Sequence, residues 1–394
     1  MKKQLIALAL IPVFASPASA EPAIELKTGG FMTFYGAYAK QKKQTEVLTG
    51  INIPAAAYAS RPIGSYNKAD LMGNAEVYFS GKHEFENGTA LSAMIQLEAG
   101  TDSDTSNNVV DETYMTFDSK AGRFIAGNVK NVSNMLAVRS RTVSTIGFQE
   151  TDFKRMIVIP ALFAYNKATY ATLDDISTKL SYISPEIAGF TVAVSAMPGN
   201  KTKGKDADNL LIPTDGTKIF KYGFDSVVKY SHDFDAFKME IGATYSTYKP
   251  NMRANDLPGK EKNTNEYGGG LLISTDTWSF GGSYHYVNAT EAAGIMAAVA
   301  QTMGPHGWVW EIGATYTHND FSASVNYMHS LADSFIDEGR KDKYDQYQIA
   351  GKYKIDTGIE AFADFAYLKY DAVRQDKGLS NKGFAATVGV NLFF

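Results

Sequence analysis

Cysteine is absent from the 394 residues. That excludes disulfide scaffolds, thiolate metal centres and cysteine nucleophiles. Past the N-terminal leader there is no run of eighteen apolar residues, which excludes a transmembrane helix. The longest candidate, residues 156–165, is interrupted by Pro160. Neither sign of charge dominates: 38 Lys plus Arg stand against 42 Asp plus Glu. A nucleic-acid binder would carry a basic excess, so no nucleic-acid partner is expected. The six histidines (83, 232, 285, 306, 318 and 329) show no metal-ligand spacing. There is no G-x-S-x-G elbow, and no phosphate-cradling glycine loop leads into a helix. These absences speak against an enzyme, a metal site or a bound cofactor.

What is present begins with a leader. Lys2 and Lys3 precede an apolar stretch at residues 5–15, and Ala18-Ser19-Ala20 forms a small-residue cleavage site before Glu21. This reads as a secretory signal cleaved after Ala20, leaving residues 21–394 as one exported domain. Removing the two leader lysines takes the basic count to 36 and the net charge to −6. The chain is also rich in Tyr (23), Phe (23) and Gly (34), residues that suit aromatic girdles and tight β-turns.

The decisive pattern is a period-two alternation in segments about ten residues long. Leu91, Ala93, Ile95 and Leu97 share one face while Ser92, Gln96 and Glu98 share the other. After a first strand at 30–39, hairpins are expected at 75–85/89–99, 111–118/123–128, 178–185/190–197 and 219–232/237–248. Three more follow at 267–275/278–287, 308–318/321–330 and 344–355/359–370, with a closing strand at 384–394. Turns within hairpins are short; connections between them are long and polar. That asymmetry distinguishes an all-β transmembrane barrel from a soluble sandwich. In hydrocarbon no water satisfies an open edge, so about sixteen antiparallel strands must close on themselves.

Several stretches then resemble the general, non-specific porins of Gram-negative outer membranes, in particular the sixteen-stranded trimeric type. Gly29-Gly30-Phe31-Met32-Thr33-Phe34-Tyr35-Gly36 resembles the family's first strand. Ala121-Gly122-Arg123-Phe124-Ile125-Ala126-Gly127-Asn128 resembles the fifth, which leads into the constriction loop. Ser181-Tyr182-Ile183-Ser184-Pro185 with Ala188-Gly189-Phe190 resembles the next hairpin, and the chain ends Val388-Gly389-Val390-Asn391-Leu392-Phe393-Phe394, an alternating strand with a terminal aromatic. The resemblance implies a homotrimer in the lipid bilayer of the outer membrane. Each of its three water-filled pores would be narrowed by the third external loop folded inward. It also implies that Phe394 serves as the signal read by the barrel-assembly machinery. Two features depart from the family. The third loop, residues 129–177, is long, and no arginine ladder faces it.

The function expected is passive diffusion of small hydrophilic solutes and ions, which resides in the charges at the narrowest part. In the third loop the candidates are Glu150, Asp152, Lys154 and Arg155, with Arg139 and Arg141 upstream and Asp174-Asp175 downstream. On the facing wall they are Glu76, Lys82, Glu84, Glu98 and Glu112. The loop charges read as one side of a transverse field that orders water and filters dipolar solutes, or as ion pairs that hold the loop. The wall glutamates read as a mildly cation-attracting surface, or, for Glu84 and Glu98, as partners of Lys82 and Arg123. A substrate-specific channel for sugar or phosphate is the nearest alternative, an adhesive barrel the next. A calcium-like run at residues 102–108 and a short helical segment at 289–304 read as loop decoration.

Overall fold

A computed structural model describes residues 24–41, 67–99, 110–160, 163–172, 176–198, 220–250, 263–289, 305–335, 339–373 and 380–394. Among them sixteen strands follow one another: β1 (Glu25–Gln41), β2 (Ala69–Glu84), β3 (Ala90–Glu98), β4 (Val110–Ser119), β5 (Gly122–Val129), β6 (Ser177–Ile183), β7 (Phe190–Met197) and β8 (Phe220–Asp233). They continue with β9 (Lys238–Pro250), β10 (Thr264–Ser274), β11 (Trp278–Asn288), β12 (Gly307–His318), β13 (Phe321–Asp333), β14 (Lys341–Asp356), β15 (Ile359–Asp371) and β16 (Asn381–Phe393). Each pairs antiparallel with its sequence neighbours, and β1 pairs with β16 to close the barrel. The leader, the run at 102–108, Asp174-Asp175 and the segment 290–304 lie outside the described residues.

Every hairpin expected from the alternation is present, but many strands run further toward the long-loop side. β14 begins at Lys341 rather than Tyr344, and β16 at Asn381 rather than Phe384. These extensions are polar, so they carry no apolar alternation, yet their backbone groups still find partners in the ladder. The turn after β6 is longer than expected because Pro185 lacks an N–H and cannot extend the pairing. Ala188 and Gly189 turn the chain there with φ of 50° and 86°.

The register passes one alternation around the whole ring, because paired residues share a face. On β1, Met32, Phe34 and Tyr38 point outward and are exposed, while Thr33, Tyr35 and Ala37 point inward and are buried. The outward set continues through Leu71, Ile241, Ile312, Ile349 and Val388, all exposed. An apolar exterior of this extent is stable in lipid rather than in water. Two aromatic belts bound it. Near the short turns lie His83 against Phe85 (4.6 Å), His232 against Phe234 (4.4 Å) and Trp278 against Tyr316 (4.7 Å). Toward the long loops lie Trp310, Tyr327, Tyr347 and Tyr367, with successive ring centroids 5.2, 4.6 and 6.2 Å apart. Amphipathic rings favour these two depths, where one edge meets lipid and the other meets water.

Candidate functional site

Between β5 and β6 the described residues 130–160 and 163–172 turn into the barrel and lie along its inner wall. The outgoing leg starts at a short helix, α1 (Val132–Leu136), capped by the Asn131 side chain, which accepts from the Asn134 N–H. The Val132 N–H donates to Ser195 Oγ on β7 (3.2 Å) and the Ser133 N–H to Asp225 on β8 (2.7 Å). Further along, Ser140 donates its N–H to Glu311 on β12 (2.8 Å), and its hydroxyl bonds the same carboxylate. The Val143 N–H reaches Ser324 Oγ on β13 (3.1 Å). The N–H groups of Thr145 and Ile146 converge on Asp364 Oδ2 of β15 (3.1 and 3.2 Å).

The chain then reverses and comes back. The Val158 N–H donates to Gln41 Oε1 on β1 (3.0 Å), Ala164 N–H to Asp342 on β14 (3.0 Å) and Asn166 N–H to Ser330 Oγ on β13 (2.9 Å). Asn131 Nδ2 donates to the Ala171 carbonyl (3.1 Å), tying the two ends of the excursion. The physical need is plain. Irregular backbone inside a barrel has orphan N–H groups, and each must find an acceptor. The wall supplies carboxylates, hydroxyls and an amide, and the bonds to carboxylates are the stronger kind.

Two other devices seat the loop. Beneath its reversal Phe148, Phe153, Ile157 and Phe163 pack on Tyr35, Tyr344, Phe362, Leu368 and Tyr370 in one buried apolar cluster. On the outgoing leg the wall offers glycine: a Cβ built at Gly270 would stand 1.9 Å from the Val138 carbonyl oxygen. No side chain fits there while the loop keeps its course. At the loop's root, Gly127 holds φ of 135°, and a Cβ would meet the Thr113 carbonyl oxygen at 2.3 Å. Sixteen strands alone would enclose a broad aqueous lumen. Here the tethers run from β7 round to β1, filling that side and leaving the wall of β2 to β5 opposite.

On that wall Glu76, Lys82, Glu84, Glu98 and Glu112 all occupy inward positions, with Glu76 and Glu98 directly paired in register. Glu76 accepts from the Tyr78 hydroxyl and from Gln96 Nε2, each at 2.6 Å, and Gln96 also reaches Asp111 (3.3 Å). Glu112 is buried beside Lys130 of the loop (3.6 Å). Lys82 pairs with Glu84 (3.3 Å), as expected. Arg123 instead pairs with Asp118 on the adjoining strand (2.5 Å), the residue opposite it in register and thus nearer than Glu98.

In the loop the expected cluster divides. Glu150 pairs not with its sequence neighbours but with Lys167 (2.5 Å), and it accepts from the Tyr170 hydroxyl (2.8 Å). Burial pushes its carboxyl up, but Lys167, Tyr170 and Lys154 outweigh that, so its pKa lies below the ordinary 4.5. Burial, and then Glu150, push the Tyr170 hydroxyl up. Glu150 itself has φ of 56°, a strained value for a non-glycine residue, held by its N–H bond to the Lys167 carbonyl (3.1 Å). Asp152 and Arg155 pair across a single 3-10 turn (3.5 Å). The Arg139 guanidinium lies 4.6 Å from the centre of the Tyr170 ring, and Arg141 reaches Glu240 on β9 (3.8 Å).

The buried acids that hold the loop (Asp225, Glu311, Asp342 and Asp364) escaped sequence reasoning, as did the His285–Glu266 contact inside β10–β11 (2.8 Å). A signal existed. Glu311 sits between outward Trp310 and Ile312, so it is an inward charge in mid-strand. Which segment it meets depends on chain 171 residues away. At the seam, Phe394 and Gly30 exchange backbone hydrogen bonds (3.1 and 2.8 Å), so the last residue closes the ring.

A family model described as Gram-negative porin matches residues 6–373. Among solved structures the chain is similar to the anion-selective porin of Comamonas acidovorans, at 14% identity over 94% of this chain and 100% of that one, with a TM-score of 0.61. It is similar to the outer membrane channel DcaP of Acinetobacter baumannii, at 12% identity over 95% and 99%, TM-score 0.60. It is also similar to Salmonella typhi OmpF in complex with daunomycin, at 12% identity over 94% and 97%, TM-score 0.61. At these identities the likeness is one of fold. No curated protein matches the sequence.

Proposed function

The chain belongs to the Gram-negative porin family, and on that premise we propose that it forms a water-filled channel through which small hydrophilic solutes and ions diffuse passively, with a mild preference for cations. The observation that carries this reading is the inward loop, tethered along one side of the lumen and facing a charged wall. Its activity is permeation rather than catalysis, and it needs no cofactor. The cation preference rests on Glu76, Glu84, Glu98 and Glu112, which outnumber the inward Lys82 on that wall and whose field is focused by low-dielectric surroundings. Of the loop cations, Lys130, Arg155 and Lys167 each sit beside a carboxylate. Glu150, Asp152, Lys154, Arg155, Arg139 and Arg141 set the shape and field of the narrow part. The test is a planar-bilayer recording under a potassium chloride gradient. Wild type should give a cation-selective reversal potential, and the Glu84→Gln, Glu98→Gln variant should move it toward zero. Anion selectivity in the wild type would assign control to the loop.

The same reading includes a leader removed after Ala20, recognition of the strand ending in Phe394 by the barrel-assembly machinery, and a homotrimer joined through the first strands and β16. Support for the trimer is an outer depression of about 590 Å³ bordered by Gly36, Tyr38, Ala69, Leu71, Ala386 and Val388. Small residues there let a second apolar surface approach closely, as helices do at small-residue interfaces in lipid.

A further inference from the structure

We infer that the lumen holds a binding niche for small oxyanions, solutes carrying a carboxylate or phosphate, between the outgoing leg of the inward loop and strands β8 to β10. The inference rests on the channel reading and names a solute class for it. A cavity of about 400 Å³ opens there, lined by loop residues 135–142 with Lys229, Glu240 and Leu272. That is the small end of ligand-sized cavities, which run from about 300 to 1,000 Å³. Its charged lining among the described residues is Arg139, Arg141 and Lys229 against one carboxylate, Glu240.

That carboxylate is shared. Lys229 Nζ stands 3.5 Å from it, Lys238 Nζ 3.8 Å and Arg141 Nη2 3.8 Å. All three distances exceed those of a good charge-assisted hydrogen bond, about 2.7–2.9 Å. With Glu311, which binds the lining Ser140, two carboxylates stand against four cations (Arg139, Arg141, Lys229 and Lys238), so the niche keeps a net positive charge. The Arg141 guanidinium has five donors, and its side chain is half exposed. Its backbone is already fixed: its carbonyl accepts from Asn326 Nδ2 (2.9 Å) and Thr315 Oγ1 (3.1 Å), and Ser140 beside it is bound to Glu311. Gly242 and Gly270 keep the wall bare behind Val138, so the loop lies against the strands and Arg141 is set at the cavity. A second oxyanion bridging Arg141 and Lys229 would complete the charge balance that Glu240 begins.

The test records single channels of the whole protein in about 0.1 M KCl, where the Debye length is about 10 Å. Sodium succinate or inorganic phosphate is titrated in, with neutral succinamide as the control. Wild type should show saturable reduction of the open-channel current by the anions and none by succinamide. Arg141→Gln with Lys229→Gln should raise the half-blocking concentration about tenfold, which corresponds to about 1.4 kcal/mol. Glu240→Gln, which removes the competing carboxylate, should lower it. If the double variant fails to assemble, the tighter block in Glu240→Gln is the deciding measurement. Block by succinate alone or phosphate alone identifies which oxyanion the niche takes. Normal conductance without saturable block, or weaker block in Glu240→Gln, overturns the niche. Absence of any conductance overturns the channel reading instead.

Discussion

Glu311 is a carboxylate in the middle of a membrane-spanning strand, and its surroundings explain why it is tolerated. It points inward, is fully buried, and accepts from the Ser140 N–H, the Ser140 hydroxyl and the Ser283 hydroxyl (2.6 Å). Removing it strands three buried donors, at about 1–3 kcal/mol for each group left unsatisfied. Glu311→Ala should therefore lower the thermal unfolding midpoint in detergent and produce noisy, larger-amplitude single-channel currents. Quiet channels of wild-type stability would show that Ser140 finds other partners. Glu150 makes a different prediction, one of pH. Its folded pKa lies below the ordinary value, so its contribution is complete above 4.5 and is lost as pH falls through the folded value. Current fluctuations in wild type should grow as the pH drops below 4.5. In Glu150→Gln they should be present already at neutral pH and change little with acid. Equal acid response in both would remove Glu150 from the loop's anchorage.

The inward loop behaves as an element although its described residues contain only one helical turn and one 3-10 turn. It has what a regular element has: backbone partners, here supplied by β1, β7, β8 and β12 to β15, and a buried apolar face. Deleting residues 140–165 removes the reversal with Phe148, Phe153, Ile157 and Phe163 while leaving both strand ends. The barrel should still close, since every ladder bond is made by the strands, and single-channel conductance should rise several-fold with the wider lumen. Unchanged conductance would place the narrow part elsewhere. Sequence reasoning located this segment by its length and its flanking strands. It did not foresee the partition of charges within it. Glu150 and Lys154 are four residues apart, yet Glu150 pairs with Lys167, because the reversal of the chain brings the two legs together.

For the molecule as a whole, a closed barrel leaves no sheet edge, so any assembly must use the outer faces of its strands. On β1 and β16 that face combines small residues (Gly36, Ala386) with large exposed ones (Phe34, Tyr38, Val388). Protein of this type should run in mild detergent at about three times the monomer mass. Replacing Gly36 and Ala386 together with Leu should shift it toward monomer while single barrels still conduct. A monomer at all concentrations for the wild type would defeat the trimer.

How much of this was legible without coordinates follows from what kind of information each feature needs. Period-two alternation is a local property, so the sixteen strands, their order and the inward side of Glu76, Lys82, Glu84, Glu98 and Glu112 could be read from the chain. A hydrocarbon exterior makes that alternation unambiguous, since an inverted register would put charges into lipid. Closure also followed, because an open edge has no acceptor there. The course of the described loop residues, 130–160 and 163–172, was not legible. It depends on carboxylates scattered over β8, β12, β14 and β15, on glycines that leave room at Val138, and on aromatics from β1, β14 and β15. Those groups are remote in sequence and become neighbours only when the ring closes. The strands specify their own geometry by local pattern, whereas the pore is shaped by contacts across the lumen, which only the tertiary structure brings together.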